Sequence, residues 1–318
     1  MKIWLLLIIT IGLSIISLMT GVEHIAWGDI FHLNQAQQQI MLISRLPRLL
    51  AIVIAGAGIS VCGMIMQRLT RNRFVSPTTA GTMDAARLGV LVAMMVFPAA
   101  SMLGKITVAF VFALAGTFVF IQLLNRIPLK DPVLIPLIGL MFGGVLNAVT
   151  TFFAYKNNLI QNINSWMQGD FSAVLRGRYE WLYVAIPLFV LIYLFANRIT
   201  LAGLGDSVAV GLGLNYRATV TIGLVIVSLM SAAIILTVGS IPFLGLIVPN
   251  IVSLYLGDNL RQNLPLTALL GAAFVLACDI LGRVVIYPYE VSISLMVGMI
   301  GSVIFLYLLL RRDVRGKA

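Results

Sequence analysis

Apolar residues run through this chain in long blocks rather than in alternation. Ten blocks stand out, at 3–20, 48–69, 79–98, 106–125, 133–154, 181–196, 218–238, 243–257, 265–282 and 292–310, with short polar and basic stretches between them. A half-buried strand alternates with period two, and a surface helix carries only a stripe. Blocks that are apolar all round belong to helices surrounded by lipid or protein. A crossing helix needs about 20 apolar residues, and in lipid each segment must satisfy its own backbone. The expected fold is an all-α polytopic membrane protein of about ten transmembrane helices, with residues 1–318 forming a single transmembrane domain. Block 243–257 is short and carries Pro249, so it is expected to be tilted or broken.

Composition strengthens this reading. The chain is 60% hydrophobic and 10% charged, with a mean hydropathy of +1.05. A soluble domain exposes far more charge. The first block has Lys2 as its only early charge and no small-x-small cleavage site after Met19-Thr20-Gly21, so it is expected to be a retained helix rather than a signal. With the N-terminus inside, thirteen Lys and Arg fall on cytoplasmic segments and seven outside, with Arg87 within a block, accounting for all 21. That asymmetry obeys the positive-inside rule and places both termini in the cytoplasm. The net charge of +10 thus reflects topology, and no basic folded face suggests a nucleic-acid partner. Cys62 and Cys278 lie in apolar blocks without CxxC spacing and read as small buried side chains. His24 and His32 have no further ligand set nearby, so no resident metal or cofactor is expected.

Four connections exceed a tight turn: 21–47 and 155–180 outside, 70–78 and 197–217 inside. In 155–180, Ile163 to Gly169 suits a short interfacial helix. The inner loop 204–217 is the main chemical clue. Asp206 can cap a short helix starting at Ser207, Gly211 and Gly213 break it, and Asn215 can cap the next. Ala209, Leu212 and Leu214 would then face outward on a compact knob. Such a knob fits a partner groove; an interfacial loop resting on lipid headgroups is the plain alternative.

Several charges need accounting. Arg45, Arg48 and Arg283 fall outside, against the trend, where snorkelling to headgroups is the plain account. Glu180 and Glu290 are candidate partners within the chain. Asp279 and Arg283 are four apart on one helix, and Asp84 and Arg87 three apart, so each acid has a cation within reach. Intramembrane acids would suit a proton relay in a secondary transporter; their nearby cations argue against it. No Gly-x-x-x-x-Gly-Lys-Ser/Thr loop occurs in the chain, so any ATP hydrolysis belongs to another subunit, and no catalytic constellation appears.

A resemblance sharpens the picture. Val-Gly-Ser-Ile-Pro-Phe-Leu-Gly-Leu-Ile-Val-Pro-Asn-Ile at 238–251, Leu-Gly-Asp-Asn-Leu-Arg-Gln-Asn-Leu-Pro at 256–265, Leu-Leu-Gly-Ala at 269–272 and Cys-Asp-Ile-Leu-Gly-Arg at 278–283 lead to Glu290. Arg45-Leu46-Pro47-Arg48, Gly56-Ala57-Gly58, Gly63, Met66-Gln67, Arg71 to Pro77 with Gly81, and Ser165-Trp166 with Gly169 add to them. Together these resemble, over residues 40–312, the permease subunits of bacterial ABC importers for iron–siderophores, haem and vitamin B12. Phe-Val-Ser-Pro-Thr-Thr-Ala-Gly-Thr-Met-Asp at 74–84 and Pro249-Asn250 are similar to the petrobactin and anguibactin branch. Asn250, Arg73 and Val291-Ser292-Ile293 depart from the His, Pro and Pro-Val-Gly usual elsewhere in the family, which bears on substrate identity.

The resemblance implies the vitamin B12-type permease fold and a set of roles. Arg45, Arg48 and Arg283 would receive acidic residues of an extracytoplasmic siderophore-binding protein. Asp206, Ser207, Ala209, Leu212, Gly213, Leu214 and Arg217 would form the coupling segment seated in a cytoplasmic ATPase. Asn72, Phe74, Asp131, Pro132 and Val133 would belong to the cytoplasmic gate, with a plain turn as the alternative. Met141, Phe142 and Asn147 would line the pathway, with close helix packing at Gly139, Gly143 and Gly144 as the alternative. The partners implied are a second permease subunit (a related chain rather than a copy of this one), two ATPase subunits, the binding protein, a ferric siderophore and membrane lipid. Rival readings are a proton-coupled secondary transporter, the same importer carrying haem or a cobalamin-like ligand, and a non-transporting sensor.

Overall fold

The structure is a computed structural model and describes residues 3–21, 34–126, 134–177, 179–257 and 259–315. Thirteen α-helices are found among them: α1 Ile3–Met19, α2 Gln35–Ile40, α3 Leu46–Leu69, α4 Thr82–Val96, α5 Met102–Arg126, α6 Leu134–Lys156, α7 Ile160–Met167, α8 Ala185–Ala202, α9 Asp206–Gly211, α10 Tyr216–Val238, α11 Leu244–Leu256, α12 Leu260–Val284 and α13 Ile293–Arg315. A π-turn over Met41–Arg45 joins α2 to α3. A single isolated β-type pairing, a parallel bridge between Gln168 and Ser240, is found among the described residues. Each of the ten apolar blocks becomes a helix. Seven helical stretches are long and apolar enough to cross a membrane. The blocks at 3–20, 79–98 and 243–257 form shorter helices of 17, 15 and 13 residues.

The most buried helices are α3 and α10, and the packing explains why. Glycines along α3 remove the side chains that would hold neighbours away. A Cβ on Gly56 would sit 2.8 Å from the Gly271 carbonyl of α12, and one on Gly63 would collide with the carbonyl of Gly245 in α11. A Cβ on Gly58 would strike Ile234 of α10. Thus α11 and α12 close on α3 to backbone contact, and α10 fills the space at Gly58 with side chains. Cys62 and Cys278 are buried and unpaired, as small apolar side chains are. By contrast α5, α6, α8 and α13 bury under a third of their apolar length.

α11 is a half-crossing. It starts level with Gly63, deep in α3, where Gln67 Nε2 donates to the carbonyls of Gly245 and Leu246 at 3.3 and 3.2 Å. Thirteen residues then cover about 20 Å, well short of a bilayer core. Pro249 lies inside this helix without ending it. The outer part of the crossing is the irregular stretch 239–243. Its Ser240 N–H donates to the Met167 carbonyl, and its carbonyl accepts from Ser294 Oγ at 2.7 Å. Non-helical backbone at membrane depth is tolerated when protein satisfies it this way.

Candidate transport path and partner surfaces

At the outer end, one carboxylate organises the arginines. Asp279 on α12 accepts from Arg48 at 2.8 Å and from Arg283, the expected i,i+4 partner. Arg48 also pairs with Glu290 at 2.8 Å, as foreseen, whereas Glu180 Oε1 accepts from the Gly177 N–H. Arg283 and Arg45 both reach the C-terminus of α1. Arg283 Nη1 donates to the carbonyls of Ser17 and Thr20 at 3.0 and 2.8 Å, and Arg45 Nη1 to that of Leu18 at 2.6 Å. The last carbonyls of a helix have no partner of their own, and the negative end of its dipole favours cations. The trio expected to form an exposed docking patch is therefore split. Arg45 and Arg283 are buried, and Arg48 with Glu290 is the part open to solvent.

At the inner face the segment expected to couple to an ATPase folds as a short helix, with differences from expectation. α9 begins at Asp206, and its N-cap is Gly205, at φ +111°, not Asp206. Ala209 is fully buried, because one turn later the Leu214 N–H closes onto its carbonyl at 2.9 Å. Leu214 is half-buried. Leu212 faces outward as expected, joined by Leu204, Val208 and Val210 rather than by Ala209 and Leu214. Ser207 and Arg217 are exposed. Gly213 turns the chain at φ +79°, and Asn215 caps α10 by accepting from the Ala218 N–H at 3.0 Å, as predicted. A cleft of about 1070 Å³ lies beside the segment, lined by Arg71, Asp206, Tyr216, Arg217, Ile121 and Leu124.

The residues expected at the gate fall into two groups. Asp131, Pro132 and Val133 lie outside the described residues. Asn72 Oδ1 accepts from the Phe74 N–H at 2.9 Å, forming a local turn. Phe74 is half-exposed, and its ring meets Phe305 of α13 edge-on at 6.1 Å. Phe305 also meets Phe243 at 6.2 Å. Phe243 sits in the left-handed region at φ +61°, immediately before α11. A bulky residue there is strained. Sequence reading missed Phe243 and Phe305, because neither stands out within an apolar stretch. Nearby, Asn250 Nδ2 donates to the Arg73 carbonyl at 2.8 Å, tying α11 to the inner loop.

The three pathway candidates on α6 separate. Met141 is exposed. Phe142 stacks on Phe120 of α5 at 6.5 Å, so it packs between helices. Asn147 accepts from Arg87 Nη1 at 2.8 Å. Arg87 makes no hydrogen bond to Asp84, although the two lie within electrostatic reach of each other, as expected. Asp84 turns to α6 instead, where a Cβ on Gly143 would strike its carboxylate.

Comparison with known proteins gives one answer. The sequence pattern of the FecCD transport family matches residues 6–311. The petrobactin import system permease protein YclN of Bacillus subtilis is 57% identical over 312 residues, covering 98% of this chain and 99% of the relative. The ferric-anguibactin transport system permease protein FatD of Vibrio anguillarum is 41% identical, covering 93% and 94%. Among solved structures, a metal-chelate type ABC transporter in an inward-facing conformation matches with a TM-score of 0.87 at 25% identity, over 97% of this chain and 98% of that one.

Proposed function

Because the chain belongs to the FecCD transport family, we propose that it moves a ferric siderophore of catechol or mixed catechol–carboxylate type across the bacterial cytoplasmic membrane, as the multi-pass permease subunit of an ABC importer. The observation that carries the substrate is the 57% identity, end to end, with a petrobactin import permease. Permeases of this kind work with an ATPase, a substrate-binding protein and a second permease.

Iron enters here as cargo wrapped in its chelator. The path therefore needs shape, small residues and an electrostatic match rather than metal ligands. The binding protein docks at the outer face around Arg48 and Glu290. Arg45 and Arg283 hold that face in place by capping α1, so they act on docking through position. Two ATPase subunits receive the knob 204–217, with Leu204, Val208, Val210 and Leu212 supplying the apolar contact and Asp206, Ser207 and Arg217 the polar rim. ATP binding and hydrolysis move the knob, and the Phe74–Phe305–Phe243 cluster, with Asn72 and segment 131–133, opens and closes the inner end. The second permease, a related chain rather than a copy of this one, covers the exposed apolar flanks of α6 and α13.

Reconstitution tests this reading. The permease pair, ATPase and binding protein are assembled in liposomes, and ATP hydrolysis is followed as ferric petrobactin is added. Hydrolysis stimulated by the ferric siderophore and accompanied by iron entry is expected. Iron entry driven by a proton gradient without ATP would contradict it.

A further inference from the structure

Arg87 is the odd charge in this molecule. The other cations at membrane depth, Arg48 and Arg283, each hold a carboxylate. Arg87 donates from Nη1 to Asn147 Oδ1 at 2.8 Å and from Nη2 to Asn164 Oδ1 at 2.9 Å, both neutral acceptors. Its Nε is buried without a partner. Its nearest acid, Asp84, lies within electrostatic reach but makes no close ion pair with it among the described residues. A guanidinium stays protonated under all ordinary conditions, so this is a full positive charge in the membrane whose hydrogen bonds go to two amides from two other helices, with the Asp84 carboxylate one turn away and not bonded to it. Isolated charges there are expensive and mark a function unless they are paired.

Depth and direction follow from the neighbours. Thr82, at the start of α4, donates to Ser228 near the middle of α10 at 3.0 Å. Five residues further on, Arg87 lies about 7.5 Å beyond that level, toward the outer side. On α6, at about 100° per residue, Gly144, Asn147, Ala148 and Thr151 share one flank, and Phe142, Val149 and Phe153 share the opposite one. On the second flank Phe142 packs on Phe120 of α5, while Val149 and Phe153 further along are exposed. The small and polar flank is open: Gly144, Ala148 and Thr151 are exposed, and a Cβ on Gly144 would meet nothing within 4 Å. Arg87 sits at the edge of that flank, and its contact with Asn164 is on the exposed side.

We propose that Arg87, oriented by Asn147 and Asn164, is a selectivity residue of the translocation path, a fixed cation that recognises the negative charge of a ferric catecholate or carboxylate chelate. The inference rests on the ferric-siderophore reading above. A ferric chelate with two or three catecholate arms carries net negative charge, spread over coordinating oxygens whose remaining lone pairs can still accept hydrogen bonds. A planar guanidinium pre-set by two amides presents its face and remaining N–H groups to them without reorganising. A neutral chelate of similar size gains nothing from it.

The test uses the purified permease–ATPase complex in detergent, with equilibrium binding of ferric tris(catecholate) and of a neutral ferric trihydroxamate. Wild type, Arg87→Met, Arg87→Lys and Asn164→Ala are compared, with radio-iron uptake by cells run alongside. Arg87→Met is expected to weaken catecholate binding at least about tenfold, the scale of a lost charge-assisted hydrogen bond. Arg87→Lys retains most of it, Asn164→Ala falls between, and hydroxamate binding is unchanged in all. Equal catecholate binding by wild type and Arg87→Met overturns the inference. So does an equal loss of both chelates, or a loss in Arg87→Lys as deep as in Arg87→Met, because Arg87 would then be only a packing staple. Failure of wild type to take up any ferric chelate contradicts the siderophore reading itself, whereas normal wild-type uptake with indifferent Arg87 variants contradicts this inference alone.

Discussion

Asp279 holds two arginines at once, so it is the residue whose loss costs most at the outer face. It is buried, and so is one of its partners, Arg283. Removing one member of a buried ion pair leaves a charge uncompensated, at about 3–5 kcal/mol. Asp279→Ala is therefore expected to lower the thermal unfolding midpoint of the purified permease markedly. Glu290→Gln, on the exposed side of the same cluster, is expected to leave it nearly unchanged. An Asp279 variant as stable as wild type would mean that the cluster does not hold α1, α3 and α12 together. The pairing of Asp279 with Arg283 could be read from a spacing of four on one helix. The capping of α1 by Arg45 and Arg283 could not, because nothing local links residue 18 to residue 45 or 283. For Arg87 the spacing from Asp84 rightly put an acid within electrostatic reach, but its hydrogen-bond partners come from α6 and α7, which nothing local reveals.

Among the elements, α3 and α9 make the sharpest demands. Gly63 faces the backbone of α11 with no room for a methyl group. Neither backbone can yield easily, so Gly63→Ala is expected to reduce the amount of folded protein in the membrane. Gly144→Ala, on the open flank of α6, is expected to have no such effect. Similar levels of both variants, measured by detergent size-exclusion chromatography, would contradict the close packing of α3. On α9 the outward side is Val208, Val210 and Leu212. Leu212→Glu places a charge on that apolar tip without touching the buried Ala209. It is expected to abolish co-purification of the ATPase while leaving the permease folded, and normal co-purification would remove this segment from the interface. Gly213 is a poorer probe, since its positive φ strains any replacement. Sequence alone located this segment but misjudged its faces. A helix of six residues is too short for periodicity to reveal which side is buried. The stretch 239–243 likewise reads as an ordinary loop, and only its bonds to Met167 and Ser294 show that it lies within the protein.

For the whole molecule, class and topology were legible because apolar blocks and basic loops obey bilayer physics over the full chain. The path was less so. Which residues of α6 stay open depends on how α4 and α5 pack against it, and that is a property of the assembled bundle. The exposed stripe on α13, through Leu295, Met299, Val303, Leu306 and Leu310, and the exposed face of α6 are apolar surfaces that either lipid or a second permease can cover. Single cysteines placed on these stripes are expected to cross-link to a second permease chain and to leave this chain uncoupled to its own copies. Efficient cross-linking between identical copies would instead favour a homodimer.

The central claim is ATP-driven entry of a ferric siderophore. It is tested most directly by radio-iron uptake in a strain lacking this chain, with and without its re-expression, across a panel of ferric chelates. The account predicts restored uptake of a catechol-containing ferric siderophore that survives a protonophore and disappears when the ATPase is inactivated. Uptake that collapses with the proton gradient while ATP hydrolysis continues, or uptake restored for no ferric chelate, would contradict it.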